Sequence, residues 1–275
     1  MKIVDVHAHL DHVRFEKDLD EVVERFVKVG GGFLVTSGVN SETNRKALEF
    51  AKRYDVVRAS FGIYPIDALA CEMKSGAPKG VPPAQMASTD ADKVGNVDEE
   101  LDWIEENKDS CFAIGEIGLD YSFKEFQNEE MRQKQKEVFR KCLVLAKKID
   151  KVVVIHSRKA EEDAIDILED EKMEKVIMHC FSGRKSLIRR CVENGWNFSV
   201  PVVIIRLEHF KMLVEMVPLS QLLTETDAPY LSPVVGERNE SVNIVVTLGE
   251  IARIKGVGVE KVSQGVWDNF EKLFR

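Results

Sequence analysis

Short apolar runs alternate with longer amphipathic stretches along most of this chain. The runs are rich in Val and Ile, which favours buried strands, and the stretches between them repeat apolar residues every three or four positions, which favours helices. The run from Lys151 to His156 is almost wholly apolar, as expected of a parallel strand covered on both faces. The pattern predicts strands at residues 3–6, 33–39, 56–63, 111–118, 151–156, 175–181, 196–200 and 221–226.

Helices are predicted between these strands and after the last one. They cover residues 18–29, 42–54, 97–108, 129–149, 160–168, 185–193, 207–217, 242–255 and 260–274. Ser41 is expected to cap the second helix. Eight strand–helix units are enough to close a (β/α)8 barrel, the TIM barrel of the α/β class. The alternative is an open, doubly wound sheet, although no Gly-x-Gly-x-x-Gly follows the first strand to favour it.

One segment, residues 66–96, departs from this pattern. Its central part, Ser75 to Val94, contains two glycines and three prolines but few periodic apolar positions. A loop of this length in a compact domain is usually functional or disordered, and its function is not predicted. No linker or low-complexity stretch interrupts the chain elsewhere, so residues 1–275 are expected to form a single domain.

Composition narrows the class of protein. Hydrophobic residues make up 44% of the chain and charged residues 31%, which suits a globular domain, and no apolar run approaches the roughly 20 residues of a membrane span. Five cysteines without a Cys-x-x-Cys pair indicate reduced thiols in the cytoplasm. The net charge of −8 argues against a broad basic surface for nucleic acid. This net charge still allows a phosphate substrate, because a metal centre can supply the positive charge that the phosphate needs.

Residue types that bind metals stand at the ends of five predicted strands. Active sites of such barrels lie at the carboxyl ends of the strands, and residues two apart on a strand, such as His7 and His9, point to the same side. The set is His7, His9, Glu116, His156, His179 and Asp227. A single residue of these types at a strand end is more often a helix cap, a loop residue or a hydrogen-bonded core residue than a metal ligand. Together they supply enough ligands for two divalent cations, with Glu116 as the bridging ligand.

Five motifs resemble the TatD family of metal-dependent deoxyribonucleases, which belongs to the amidohydrolase-like barrels. They are DVHAHL at 5–10, IGEIGLDY at 114–121, VIHSR at 154–158, MHCFSG at 178–183 and ETDAPYL at 225–231. The resemblance implies one metal held by His7, His9, Glu116 and Asp227. It implies a second metal held by Glu116, His156 and His179. It also implies removal of nucleotides from DNA 3′ ends with Mg²⁺ or Mn²⁺. The expected cofactors are two divalent cations, which are Mg²⁺, Mn²⁺ or Zn²⁺.

The expected mechanism assigns roles to a few more residues. A metal pair lowers the pKa of a bridging water toward about 7, and Asp227 is the expected base, with Glu225 as its rival. Arg158 and Arg184 each follow a predicted ligand histidine and are candidate phosphate contacts. Tyr64 is a third candidate. It stands where the family usually has the histidine of a Gly-x-His-Pro motif.

Two other functions stay open. Amidohydrolases that cleave carbon–nitrogen or phosphoester bonds of small molecules share this barrel, but they commonly bridge their metals with a carbamylated lysine where this chain has Glu116. A metal-binding protein without catalytic activity is the other alternative, and the complete ligand set argues against it. No membrane and no obligate protein partner are expected.

Overall fold

Eight parallel strands form a single sheet in chain order in the computed structural model of this protein, which describes residues 1–73, 96–123 and 128–274. The strands are β1 (Ile3–Ala8), β2 (Gly31–Ser37), β3 (Val57–Phe61), β4 (Cys111–Asp120), β5 (Val152–Arg158), β6 (Val176–Met178), β7 (Asn197–Pro201) and β8 (Leu222–Glu225). Each strand pairs in parallel with the next one in the sequence. All eight predicted strands are confirmed, with ends that shift by a few residues.

The sheet closes between β8 and β1. Ala8 and Ala228 form a parallel bridge. The backbone amides of His9 and Asp227 donate to the carbonyl oxygens of Ala228 and His7 at 2.7 and 2.9 Å. An open sheet would leave these two edges apart. The (β/α)8 barrel is therefore confirmed, and the doubly wound alternative is wrong.

The strands are connected by helices on the outside of the barrel. The helices are α1 (Leu19–Lys28), α2 (Ser41–Arg53), α3 (Pro65–Met73), α4 (Val97–Glu106), α5 (Glu129–Lys148), α6 (Glu161–Asp170), α7 (Lys185–Glu193), α8 (Glu208–Met216), α9 (Ile244–Lys255) and α10 (Val259–Leu273). Helix α3 was not predicted, and it occupies the start of the segment 66–96. Ser75 to Val94, the expected loop, lies outside the described residues. No helix in the described ranges has both the length and the apolar character to cross a bilayer.

Helix α2 begins one residue earlier than predicted because Asn40 caps it. The Asn40 side chain accepts a hydrogen bond from the Thr43 amide at 3.1 Å, and the Thr43 hydroxyl accepts one from the Asn40 amide at 3.0 Å. This reciprocal pair satisfies two amides at the helix start, so Ser41 is the first helical residue and its prediction as the cap is wrong.

Strand β4 continues two residues beyond its predicted end at Gly118. Its pairing with β5 shifts register between Ile114 and Ile117, and it then runs on to the pair Asp120–Arg158. Gly118 has φ +141°, and a Cβ there would lie 2.0 Å from the His156 carbonyl oxygen. Only glycine allows this close approach of the two backbones, which brings the carboxyl end of β4 against His156.

The buried Asp5 carboxylate joins the two strands where the barrel closes. It accepts hydrogen bonds from the Thr226 hydroxyl at 2.6 Å, the Thr226 amide at 3.0 Å and the His7 amide at 3.3 Å. Burial raises the pKa of Asp5 to about 7, although these hydrogen bonds oppose the shift. The neutral acid is therefore accessible near pH 7.

Asp5→Ala should destabilise the barrel because it leaves both Thr226 donors without a partner. We expect the free energy of unfolding in urea to fall by roughly 2–4 kcal/mol. Asp5→Asn is the matched control: it keeps an acceptor oxygen and resembles the neutral acid, so it should lose less than half as much. An alanine variant within about 0.5 kcal/mol of the wild type would contradict this role for Asp5.

Candidate metal centre

The six predicted ligand residues meet at the carboxyl-terminal mouth of the barrel. His7 lies in β1 and His9 directly follows it, Glu116 lies in β4, His156 lies in β5, and His179 and Asp227 follow β6 and β8. The side chains of His7, Glu116, His156 and His179 are buried. The side chains of His9 and Asp227 keep 12% and 15% of their surface exposed, so the site opens to solvent on their side.

His7, His9 and Asp227 place three donor atoms close enough to bind one cation, and one Glu116 oxygen lies within 4 Å of both histidines. The Nε2 atoms of His7 and His9 are 3.2 Å apart. Asp227 Oδ1 lies 3.6 and 3.4 Å from these nitrogens, and Glu116 Oε2 lies 3.4 and 3.6 Å from them. The four nitrogen–oxygen distances exceed the usual hydrogen-bond range of about 2.7–3.2 Å. They match the roughly 3.4 Å between ligands of a tetrahedral ion with bonds of about 2.1 Å.

The other carboxylate oxygen of Glu116 faces a second pair of histidines. Glu116 Oε1 lies 2.7 Å from His156 Nδ1 and 3.8 Å from His179 Nε2. The His179 ring also stacks on His7 at 3.8 Å, so His7, Glu116 and His179 form a compact group of potential ligands, whereas His156 contacts this group through Glu116. The two oxygens of Glu116 are thus divided between the two histidine pairs.

The charges in the mouth are set by this clustering. Burial raises the pKa of Glu116 and Asp227, but the neighbouring histidines outweigh it and leave both pKa values below their usual range. Burial lowers the pKa of His9 and His156, but the adjacent carboxylates raise both to about 9. Burial, which the neighbouring carboxylates only partly oppose, lowers the pKa of His179. The mouth therefore combines ionised carboxylates with at least one neutral imidazole, the forms that bind divalent metals.

The ring nitrogen of each histidine that faces away from this cluster has its own oxygen partner. Ser37, at the end of β2, serves two of them: its hydroxyl lies 3.1 Å from His7 Nδ1 and its carbonyl oxygen 3.1 Å from His9 Nδ1. Glu225 lies 2.6 Å from His179 Nδ1. Asp120 lies 3.1 Å from His156 Nε2. Such partners fix the orientation of ligand imidazoles.

Both carboxylate oxygens of Glu225, the rival base, already have partners. In addition to its contact with His179, one oxygen accepts from the Ser199 hydroxyl at 2.5 Å and the other from the Cys180 amide at 2.9 Å. Burial raises the pKa of Glu225 to about 8. Glu225 is therefore placed to orient His179, and Asp227 is the carboxylate with access to solvent.

The three candidate phosphate contacts have different surroundings. The Tyr64 hydroxyl donates to Asp120 at 2.9 Å. Arg184 is exposed and pairs with Glu162 at 2.8 Å. Arg158 ends β5 and is exposed, and within the described ranges its side chain has no hydrogen bond or ion pair. Burial lowers the pKa of Arg158, but Tyr64 and Asp120 raise it more, so its charge lies near the mouth.

Two residues of this site, Ser37 and Asp120, were not predicted from the sequence. Asp120 had a recognisable pattern, because it comes four residues after Glu116 and an even spacing is typical of two side chains on the same side of a strand. Ser37 had no comparable signal. Asp227 was predicted to stand at the end of β8, but the strand ends two residues earlier at Glu225 and Asp227 has φ +55°. Its position next to His9 therefore arises from a turn.

Comparison with known proteins agrees with this fold and these motifs. The model of the family described as TatD related DNase matches residues 4–275. Deoxyribonuclease TATDN3 of Homo sapiens is 34% identical over 273 residues, which cover 99% of this chain and 94% of that protein. The uncharacterized metal-dependent hydrolase MJ1582 of Methanocaldococcus jannaschii is 34% identical over 275 residues, which cover 100% and 98%.

Two solved structures share the architecture. YJJV, a TatD homolog from Escherichia coli, has a TM-score of 0.81 and 23% identity, with 99% of this chain and 97% of that chain covered. A hydrolase of the TatD family from Entamoeba histolytica has a TM-score of 0.82 and 21% identity, with 99% and 98% covered. At these identities the two structures support the fold alone. The family model and the relatives at 34% identity, which both span nearly the whole chain, show that the protein is a hydrolase of the TatD related DNase family.

Proposed function

We propose that this chain is a metal-dependent deoxyribonuclease that removes nucleotides from DNA 3′ ends, with residues 1–275 acting as one domain. The name of the human relative, a deoxyribonuclease, supports DNA as the substrate. The division of the Glu116 oxygens between two histidine pairs carries the proposal, because it is the arrangement that a two-cation hydrolase requires. The unpaired thiols of the described cysteines favour the cytoplasm as its compartment.

Two cation positions are proposed at the mouth. The first is formed by His7, His9, Asp227 and one oxygen of Glu116, and the second by His156, His179 and the other oxygen. Divalent cations there (Mg²⁺, Mn²⁺ or Zn²⁺) would supply Lewis-acid activation of water and stabilisation of charge on phosphate oxygens. The donor set fits these ions, since it consists of imidazoles and carboxylates.

The chain's own residues perform the remaining steps. Asp227 is ionised and reaches solvent, so its carboxylate accepts the proton of the attacking water. Glu225 holds His179 in place, and its oxygens are not available for this proton. Arg158 is the exposed cation beside the mouth that binds the phosphate. Arg184 would first have to leave Glu162.

Asp227→Asn should abolish most hydrolysis while keeping the fold. The wild type with saturating Mn²⁺ should shorten a 5′-labelled single-stranded oligonucleotide from its 3′ end, and the variant should do so on the order of 10²–10⁴ times more slowly, because an amide cannot accept the proton. The measurement is the single-turnover rate, with melting temperature and metal content recorded alongside.

Two controls belong to this experiment. Glu225→Gln should act through His179, so its loss should be accompanied by weaker metal binding, which saturating Mn²⁺ partly restores. A cyclic amide substrate should not react with the wild type. Near-normal turnover in Asp227→Asn would remove Asp227 as the base. Amide hydrolysis without DNA hydrolysis would replace the proposed function with that of a small-molecule amidohydrolase.

Arg158→Gln should weaken substrate use more than Arg184→Gln. We expect kcat/KM on DNA to fall roughly 10- to 100-fold for the first variant, since a charge-assisted contact to phosphate is lost. The second variant should change it less than about threefold, because it removes an exposed ion pair. Steady-state kinetics at several salt concentrations test this. Equal effects of the two substitutions would contradict the assignment of Arg158.

Metal binding should release protons at neutral pH. Because the metal-free pKa values of His9 and His156 are about 9, both rings are mostly protonated at pH 7, whereas a cation needs the bare nitrogen. Filling both positions should therefore release about two protons at pH 7 and fewer above pH 9, and affinity should rise with pH over this window. Calorimetry with Mn²⁺ in two buffers of different ionisation enthalpy measures the number released.

Two variants test the source of these protons. His9→Asn should release about one proton fewer than the wild type at pH 7. His209→Asn is the matched control, since His209 lies in α8 and contacts the Phe181 carbonyl oxygen instead of a carboxylate of the site. A wild type that releases no protons at pH 7 would contradict the raised pKa values.

A further inference from the structure

Asp120 has no place in the proposed ligand set, yet it is one of the most completely bonded groups in the mouth. Its side chain is fully buried. One carboxylate oxygen accepts from the Tyr64 hydroxyl at 2.9 Å and lies 3.1 Å from His156 Nε2, and the other accepts from the Ser122 amide at 2.8 Å. A buried carboxylate with this many donors is held in one orientation.

This orientation determines which His156 nitrogen is free for a cation. An ionised carboxylate only accepts hydrogen bonds, so the Nε2 atom next to Asp120 carries the hydrogen. Nδ1 lies 2.7 Å from the ionised Glu116 Oε1, so in the metal-free ring it also carries a hydrogen; a cation that binds at Nδ1 displaces this hydrogen, while Asp120 keeps the other one on Nε2. Asp120 thus presents the atom of His156 that the second cation position needs.

Tyr64 acts on the same carboxylate. A phenol has a single hydroxyl hydrogen, and that of Tyr64 is donated to Asp120, so it is not available to a phosphate. The Tyr64 ring also packs edge-on against the His156 ring, with centroids 4.8 Å apart. Both contacts restrict His156 directly or through Asp120.

The backbone around Tyr64 is fixed independently of any ligand in the mouth. The Tyr64 amide donates to the Val39 carbonyl oxygen at 2.8 Å. The Asn44 side chain pairs with both the amide and the carbonyl oxygen of Gly62 at 3.0 Å, two residues before Tyr64. Tyr64 therefore approaches Asp120 from a rigid segment, as a supporting residue must.

We propose that Asp120 and Tyr64 are positioning residues that set the affinity of the second cation position through His156, and that Tyr64 acts by way of Asp120. This inference rests on the proposed function, because it requires a second cation between Glu116, His156 and His179. The first position has different support: its histidines contact Ser37, a neutral residue. Substitutions at Asp120 and Tyr64 should therefore separate the two positions.

The test is a titration of the metal-free protein with Co²⁺, followed by calorimetry and by the visible absorption of each bound ion. The wild type should bind two ions. In Asp120→Asn the second should bind roughly 10- to 100-fold more weakly, with the first unchanged within about threefold. Tyr64→Phe keeps the ring but loses the hydrogen bond, so the second ion should bind roughly fivefold more weakly.

A double variant and a control sharpen this result. If Tyr64 acts through Asp120, the pair Tyr64→Phe with Asp120→Asn should bind the second ion no more weakly than Asp120→Asn alone. Ser37→Ala should instead weaken the first ion, by roughly 10-fold or more, and leave the absorption of the second unchanged. Circular dichroism melting identifies any variant that does not fold.

Three outcomes in the variants would overturn the inference. They are wild-type affinity of both ions in Asp120→Asn, equal weakening of both ions in a folded variant, and fully additive effects in the double variant. A wild type that binds a single ion would also overturn it, because no second position would exist. DNA hydrolysis by that wild type, measured separately, would then decide whether the proposed function stands without it.

Discussion

The mouth of this barrel depends on one buried carboxylate, that of Glu116, which lies between two pairs of histidines. Its burial is tolerated because each oxygen faces imidazoles, the first His7 and His9 and the second His156 and His179. Removing these imidazoles would leave an uncompensated charge in the core, and removing Glu116 would leave the histidines crowded together. The carboxylate and the four rings therefore form a single electrostatic unit.

The barrel supplies the geometry that this unit requires. The glycine at position 118 lets β4 lie close to His156, and β4 continues far enough to bring Asp120 behind it. The contacts of Asp5 with Thr226 hold β8 against β1, and they place Asp227 next to His9. The supports differ between the two halves of the mouth, since Ser37 is neutral whereas Asp120 and Glu225 are acids. The two halves therefore differ in the charge that lies behind their histidines.

Much of this could be predicted from the sequence, because the strands of a parallel barrel all end at one face. His156 and His179 both come at the ends of apolar strands, and this alone places them at the same face of the barrel, whatever the path of the chain between them. Predictions that needed the path of the backbone were less successful. Gly118 looked like the end of a strand, although its positive φ lets the strand continue to Asp120. Asp227 reaches the site through a turn that no alternation describes.

Side-chain partners were also beyond the reach of the sequence. Arg184 follows a ligand histidine just as Arg158 does, and only the structure separates them, because Glu162 pairs with the first. Tyr64 could be identified as the residue in place of a histidine, but the direction of its hydroxyl depends on Asp120, which comes 56 residues later. Long-range contacts of this kind decide whether a polar group meets the substrate or another side chain.

The hydrogen bond from Tyr64 to Asp120 affects which groups at the mouth remain available to a substrate. The Tyr64 hydroxyl donates its hydrogen to Asp120, and the exposed Arg158 carries its charge near the same side of the mouth. The six predicted ligand residues lie in strands or within two residues of a strand's end, whereas position 64 lies in the connection between β3 and α3. Residues in such connections can alter what is bound while the strands keep the metal chemistry intact.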